Sequence, residues 1–149
     1  MAASFDCAKA STKHEKMICD NPELNEADEE MGNIYRENKL KFKHFPKAIT
    51  SEQKSFLTKN NSIWNGKEYI DYPSYNKCLE VKQCLFLVTN RIKELKNEPL
   101  SWIRYSKELR QLIKSSIPVM NVYMGMTKNE KKTSLVEAMF TVTGAGDNV

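Results

Sequence analysis

Four cysteines carry the most readable chemistry in this chain: Cys7, Cys19, Cys78 and Cys84. They form two sequence-local pairs, separated by eleven and five intervening residues. Structural zinc uses tight Cys-x-x-Cys knuckles or mixtures with histidine. These gaps do not fit, and neither His14 nor His44 stands at a ligand-like spacing. No metal and no cofactor are expected. Disulfides fit better. The expected pairing is Cys7–Cys19 with Cys78–Cys84, cross-pairing between the clusters is the alternative, and four buried thiols are the third state, open to a cytoplasmic chain. Residues six apart on one helix point to different faces, so a Cys78–Cys84 bond needs Cys78 just ahead of the helix carrying Cys84. Bonded cysteines imply an oxidising compartment.

The remaining reactive types do not assemble into a catalyst by sequence. Nucleophilic catalysis needs a Ser, Cys or Thr beside an oriented base. The two histidines both lie in charged helical contexts and read as solvated side chains. Glu23, Glu26, Asp28, Glu29 and Glu30 are the densest carboxylates. Their clustering on one amphipathic helix reads as a wet face. It is not the opposed pair that flanks a sugar in glycoside hydrolysis. There is no Gly-rich phosphate loop. The expectation is a protein that is not an enzyme.

The elements that must position these residues read as helices. Thr12 to Glu15 fits a capping box ahead of a short helix reaching about Cys19. Asn21 then caps and Pro22 suits the first position of a long helix over 22–43, stopped before Pro46. Thr50 to Gln53 reads as a second capping box, with helix through Phe56 and Leu57 to about Asn60. Residues 61–77, rich in Asn, Tyr and Gly, read as a long loop. Leu85, Val88, Ile92 and Leu95 mark a helix over 79–97. Trp102, Tyr105, Leu109, Leu112 and Ile113 mark another from Pro99. Beyond Pro118, residues 119–124 and 134–142 suit a C-terminal β-hairpin, with a helix through Leu135, Ala138 and Met139 competing. The fold class expected is mainly α, a disulfide-stapled helical bundle with a small C-terminal β-hairpin. A four-cysteine helical domain over 4–97 would be followed by a C-terminal helix and extension over 98–149.

Composition agrees with a globular protein. Hydrophobic residues make up 40% and charged residues 28%, whereas disorder needs fewer apolar residues and a larger net charge. No apolar run approaches the ~20 residues that span a bilayer. No leader and no lipid anchor are visible, although a mature chain with a start Met in place of a removed leader reads the same. The net charge of +4 hides an asymmetry: residues 1–30 hold three lysines and eight acids, and the remainder holds twenty basic and eleven acidic residues.

The N-terminal words are specific. Ser4 to Thr12 reads SFDCAKAST, followed by Glu15-Lys16, Ile18-Cys19, Asn21-Pro22-Glu23-Leu24, Asp28 and Tyr35. This closely resembles the opening of the LprI-like lysozyme-inhibitor family, which is bacterial, exported and sometimes lipid-anchored. The second half is less tidy. Phe56-Leu57 after Gln53 stands where the family has Trp-Leu, Asn76-Lys77-Cys78 resembles the third-cysteine word, and Cys84-Leu85 with Arg91-Ile92 resembles the last. The segment before Cys78 resembles an insertion. The likeness covers roughly residues 4–95. It implies a mainly helical, periplasmic or secreted protein and, for some members, lysozyme inhibition.

The expected function is thus an extracytoplasmic inhibitor that binds a lysozyme-like hydrolase. Trp64, Tyr69, Tyr72 and Tyr75 in the 61–77 loop are the candidate contact aromatics, a residue type enriched at hot spots. Glu26, Glu29 and Glu30, with Asp20, Glu23 and Asp28, form an acidic face that could steer a basic target. The alternative is an immunity protein neutralising a toxin delivered into the periplasm, such as a secreted lipase or wall hydrolase. A third reading, an anion- or nucleic-acid-binding module, rests on Lys39, Lys41, Lys43 and Lys47 and on Lys128, Lys131 and Lys132. No nucleic-acid motif accompanies these runs, so a nucleic-acid partner is not expected.

Overall fold

The computed structural model describes residues 3–115. The expected C-terminal hairpin or helix beyond Pro118 lies outside the described residues.

The chain is mainly helical. A single turn of 3-10 helix, Cys7–Lys9, precedes α1, Lys13–Asp20. The Thr12 hydroxyl accepts from the Glu15 amide, and the Glu15 carboxylate accepts from the Thr12 and Ser11 amides. This is the expected capping box. Those backbone hydrogen bonds hold the Glu15 carboxyl below the usual glutamate range. Its contribution is therefore complete above that range and is lost as pH falls through the lowered value. A Glu15→Gln variant should show a weaker loss of helical signal between about pH 5 and pH 3 than the parent. Identical acid profiles would remove Glu15 from the account.

α2 runs over Pro22–Lys41, with the Asn21 side chain accepting from the Leu24 amide. α3 covers Pro46–Thr58 and begins earlier than the sequence pattern predicts. Pro46 occupies its first turn, and Phe45 caps it without a side-chain hydrogen bond. Thr50 to Gln53 is therefore helix interior. The Thr50 hydroxyl donates back to the Pro46 carbonyl, and Gln53 is buried.

The segment expected to be a long loop holds an antiparallel hairpin. β1, Asn61–Trp64, pairs with β2, Tyr69–Tyr72, in the register Asn61–Tyr72, Ser62–Asp71, Ile63–Ile70 and Trp64–Tyr69. A second 3-10 turn, Tyr75–Lys77, leads into α4, Val81–Asn97. The expected single helix from Pro99 is two: α5, Pro99–Arg104, and α6, Lys107–Ser115. Ser106 makes the break. Its hydroxyl donates to the Ile103 carbonyl and accepts from the Leu109 amide, ending one helix and capping the next.

α2 and α4 lie side by side. Tyr75, just ahead of α4, bonds Asp28 in the first half of α2, and Asn38 near the end of α2 bonds the Leu95 carbonyl near the end of α4. The two helices therefore run in the same direction. Leu24 and Met31 meet Leu87, Val88 and Leu95 in the larger core. Phe42, Phe45 and Ile49 meet Ile103 and Leu109 in a smaller one, where α5 and α6 close on α3.

Both disulfides join neighbours in sequence: Cys7 to Cys19 and Cys78 to Cys84. Cys78 precedes α4 and Cys84 lies in its first turn, as the facing argument requires. Serine at both members of a pair should cost about 3 kcal/mol for Cys7–Cys19 and about 2 for Cys78–Cys84, from loop closure alone. Urea midpoints at constant slope would measure it. An unchanged midpoint for either pair would show that the bridge does not constrain the unfolded chain. Two bonds of this kind suit an oxidising, extracytoplasmic environment. No helix among the described residues is long and apolar enough to cross a membrane.

Candidate functional site

The hairpin has two unlike faces. Asn61, Ile63 and Tyr72 turn inward, and the Tyr72 ring meets Phe86 of α4 at 5.2 Å. The opposite face, set by the paired positions Ser62–Asp71 and Trp64–Tyr69, is open. Trp64 and Tyr69 remain 54% and 70% exposed although their rings lie 5.1 Å apart. They shield one another only partly and leave a large apolar area in water.

The tip is shaped locally. The Asn65 side-chain oxygen accepts from the Lys67 and Glu68 amides, and the Asn65 amide donates to the Glu68 carbonyl. Gly66 sits at φ 99°, a conformation that side-chain-bearing residues rarely adopt. Two bonds to the Asn65 side chain, one backbone bond and one glycine thus hold Trp64 and Tyr69 at the neck of a fixed turn. Asn-Gly between β-rich words was the available sequence signal for this hairpin.

Tyr75, expected at the interface, is 2% exposed. Its hydroxyl donates to Asp28 at 2.9 Å, its ring stacks on Phe56, and the His14 ring meets it edge-on at 4.7 Å. Burial first, then the Asp28 charge and hydrogen bond, push its phenol far above the ordinary tyrosine range. Tyr75 is a core residue, unavailable to a partner. Tyr72 is half-buried and serves mainly to seat the hairpin on α4.

The acidic face also divides. Asp28, expected to be wet, is 2% exposed. One of its oxygens accepts from Tyr75 and the other from both the amide and the hydroxyl of Ser4. Gly32 lets the N-terminal segment approach: a Cβ there would stand 2.8 Å from the Ser4 Cβ. Glu30 pairs with Lys96 of α4 at 3.1 Å, in solvent. Such an exposed pair adds little stability. Glu26 and Glu29 line a shallow depression with Cys19, Pro22 and Asn25. The hairpin is seated on α4 through Tyr72, whereas these two acids lie beside the Cys7–Cys19 bridge.

His14 is buried as well, against the expectation of a solvated side chain. Its Nδ1 lies 2.8 Å from the Cys78 carbonyl oxygen, which can only accept, so Nδ1 carries the proton. The contact ties α1 to the second disulfide. Arg91 is buried too. It donates to Gln53 and Glu94, and its guanidinium lies 5.3 Å from the Phe56 ring and 4.7 Å from the Trp102 ring. It joins α3, α4 and α5. Sequence reasoning missed both, because neither local word reveals a partner tens of residues away. No cluster of His, Cys, Asp or Glu suited to a metal ion occurs among the described residues.

The class that this geometry defines is a mainly α domain with two local disulfides and an exposed aromatic hairpin. No protein-family model, curated protein or solved structure matches the chain. The likeness to LprI-like inhibitors therefore rests on the sequence words themselves.

Proposed function

We propose that the chain is a periplasmic or secreted, non-catalytic protein that binds and inhibits another protein, with a lysozyme-like peptidoglycan hydrolase as the first target class. The observation that carries this reading is the Trp64–Tyr69 pair, left open to water at the neck of a rigid tip. Exposed aromatics held in one conformation lose little entropy on binding and dominate interface energetics. A narrow protruding tip suits a concave partner such as an enzyme cleft. His14, Asp28 and Tyr75 are packed away in the fold, which favours binding over chemistry. The LprI-like words supply the target class.

The test is capture by the oxidised full chain of lysozymes from a panel and of proteins from an extracytoplasmic fraction, followed by lysis assays on whatever binds. Capture with loss of lysis supports the inhibitor. Capture of a secreted toxin instead would move the assignment to immunity. No hydrolase bound at micromolar concentration would overturn the lysozyme reading.

A further inference from the structure

The basic run between α2 and α3 is left unused by that reading, and its geometry is independent of it. Residues 38–51 hold four lysines and no Asp or Glu. Phe42 and Phe45 are buried in the smaller core, where they meet Ile49 and Ile103. With those rings turned inward, Lys39, Leu40, Lys41, Lys43, His44 and Lys47 face solvent. Leu40 is 77% exposed, more than any other large hydrophobic residue among the described residues.

We infer that this turn is a docking surface for an anionic lipid bilayer. Among the described residues, none of the four lysines has a carboxylate within ion-pair distance. Lys39 and Lys41 instead lie over the Tyr35 and Phe42 rings. Stabilising the helix does not account for the run. The negative end of the α2 dipole suits Lys39 and Lys41, but Lys43 lies beyond the helix and Lys47 sits in the first turn of α3, where the dipole opposes a cation. Lys47 shares a depression with Glu52, Lys107 and Glu108. Glu108 lies close to Lys47, but its carboxylate accepts from the Lys47 and Ala48 amides. Glu37 and Lys96 line the adjoining depression beside Leu40, and Lys96 is paired with Glu30.

An exposed apolar side chain flanked in sequence by lysines that have no ion pair among the described residues matches the boundary between headgroup phosphates and acyl chains. A nucleic-acid groove would display rings for stacking, and here both phenylalanines are inside. Orientation follows from charge. α2 is 20 residues long, about 30 Å, and the acids Asp20, Glu23 and Glu26 lie at its other end. Docking through the turn would hold that acidic end away from a like-charged surface.

Sedimentation of the full oxidised chain with phosphatidylcholine vesicles, with and without phosphatidylglycerol, tests this. The chain should sediment only with the doped vesicles and should be released near 1 M salt, where screening acts within ~3 Å. Each lysine is expected to contribute about fivefold to partitioning. Lys41→Gln with Lys43→Gln should thus lose on the order of 25-fold, and Leu40→Ser should lose severalfold, with far-ultraviolet dichroism unchanged because these side chains are exposed. Equal binding to undoped vesicles would overturn the proposal. So would binding to doped vesicles that survives all three substitutions. Binding to duplex DNA as tight as to doped vesicles, and indifferent to Leu40→Ser, would assign the turn to phosphates in general and overturn the lipid surface.

Discussion

Asp28→Ala should lower unfolding free energy by about 3 kcal/mol, with a melting temperature about 10 °C lower in a chain of this size. The carboxylate is buried and accepts three hydrogen bonds, two from Ser4 and one from Tyr75. Its removal strands the Tyr75 hydroxyl inside the core and frees the N-terminal segment that Gly32 admits. Tyr75→Phe should also destabilise, by leaving one carboxylate oxygen without its donor. The two changes should not add: a double-mutant cycle is expected to show coupling of about 1 kcal/mol or more. Additive losses, or an Asp28→Ala cost well under 1 kcal/mol, would mean that water satisfies both groups.

Trp64→Ala with Tyr69→Ala acts on the other property. Both side chains are largely exposed, so the melting temperature should stay within a degree or two of the parent. Affinity for the captured target should fall about a thousandfold, since hot-spot aromatics contribute ~2 kcal/mol or more each and about 1.4 kcal/mol is tenfold. Titration calorimetry on the target, beside a thermal melt, separates the two effects. Tyr72→Ala is the instructive contrast, because its ring is seated on Phe86 and its loss should disturb the hairpin itself. Unchanged affinity in the double variant, with the target still inhibited, would move the interface off the hairpin.

What could be read from the sequence was what the chain determines locally. Thr12 with Glu15, and Asn21 with Pro22, announced their helices because each cap is completed within four residues. The same logic misplaced the start of α3. Thr50 to Gln53 matches a capping pattern, yet Gln53 serves Arg91, 38 residues away, while the real start at Phe45 has no side-chain cap to see. Asn65-Gly66 lay in view, but the Asn- and Tyr-rich segment around it passed for a loop. Of the four aromatics singled out there, Trp64 and Tyr69 are open and Tyr75 is core, and only the tertiary contacts with Asp28, His14 and Phe56 separate them. Burial of polar residues is a property of partners, and His14, Asp28 and Arg91 find theirs far along the chain.

The closeness of each cysteine to its partner bears on how the protein matures. Native partners are 12 and 6 residues apart, whereas the nearest crossed pair, Cys19 and Cys78, is 59 apart. For a flexible chain, encounter favours the native pairs by roughly tenfold and thirtyfold over that crossed pair. Correct bonds can therefore form while the chain is still largely unfolded, and few need to be reshuffled afterwards. A cell exporting this protein has to supply an oxidant, but it can do without much help from a disulfide isomerase.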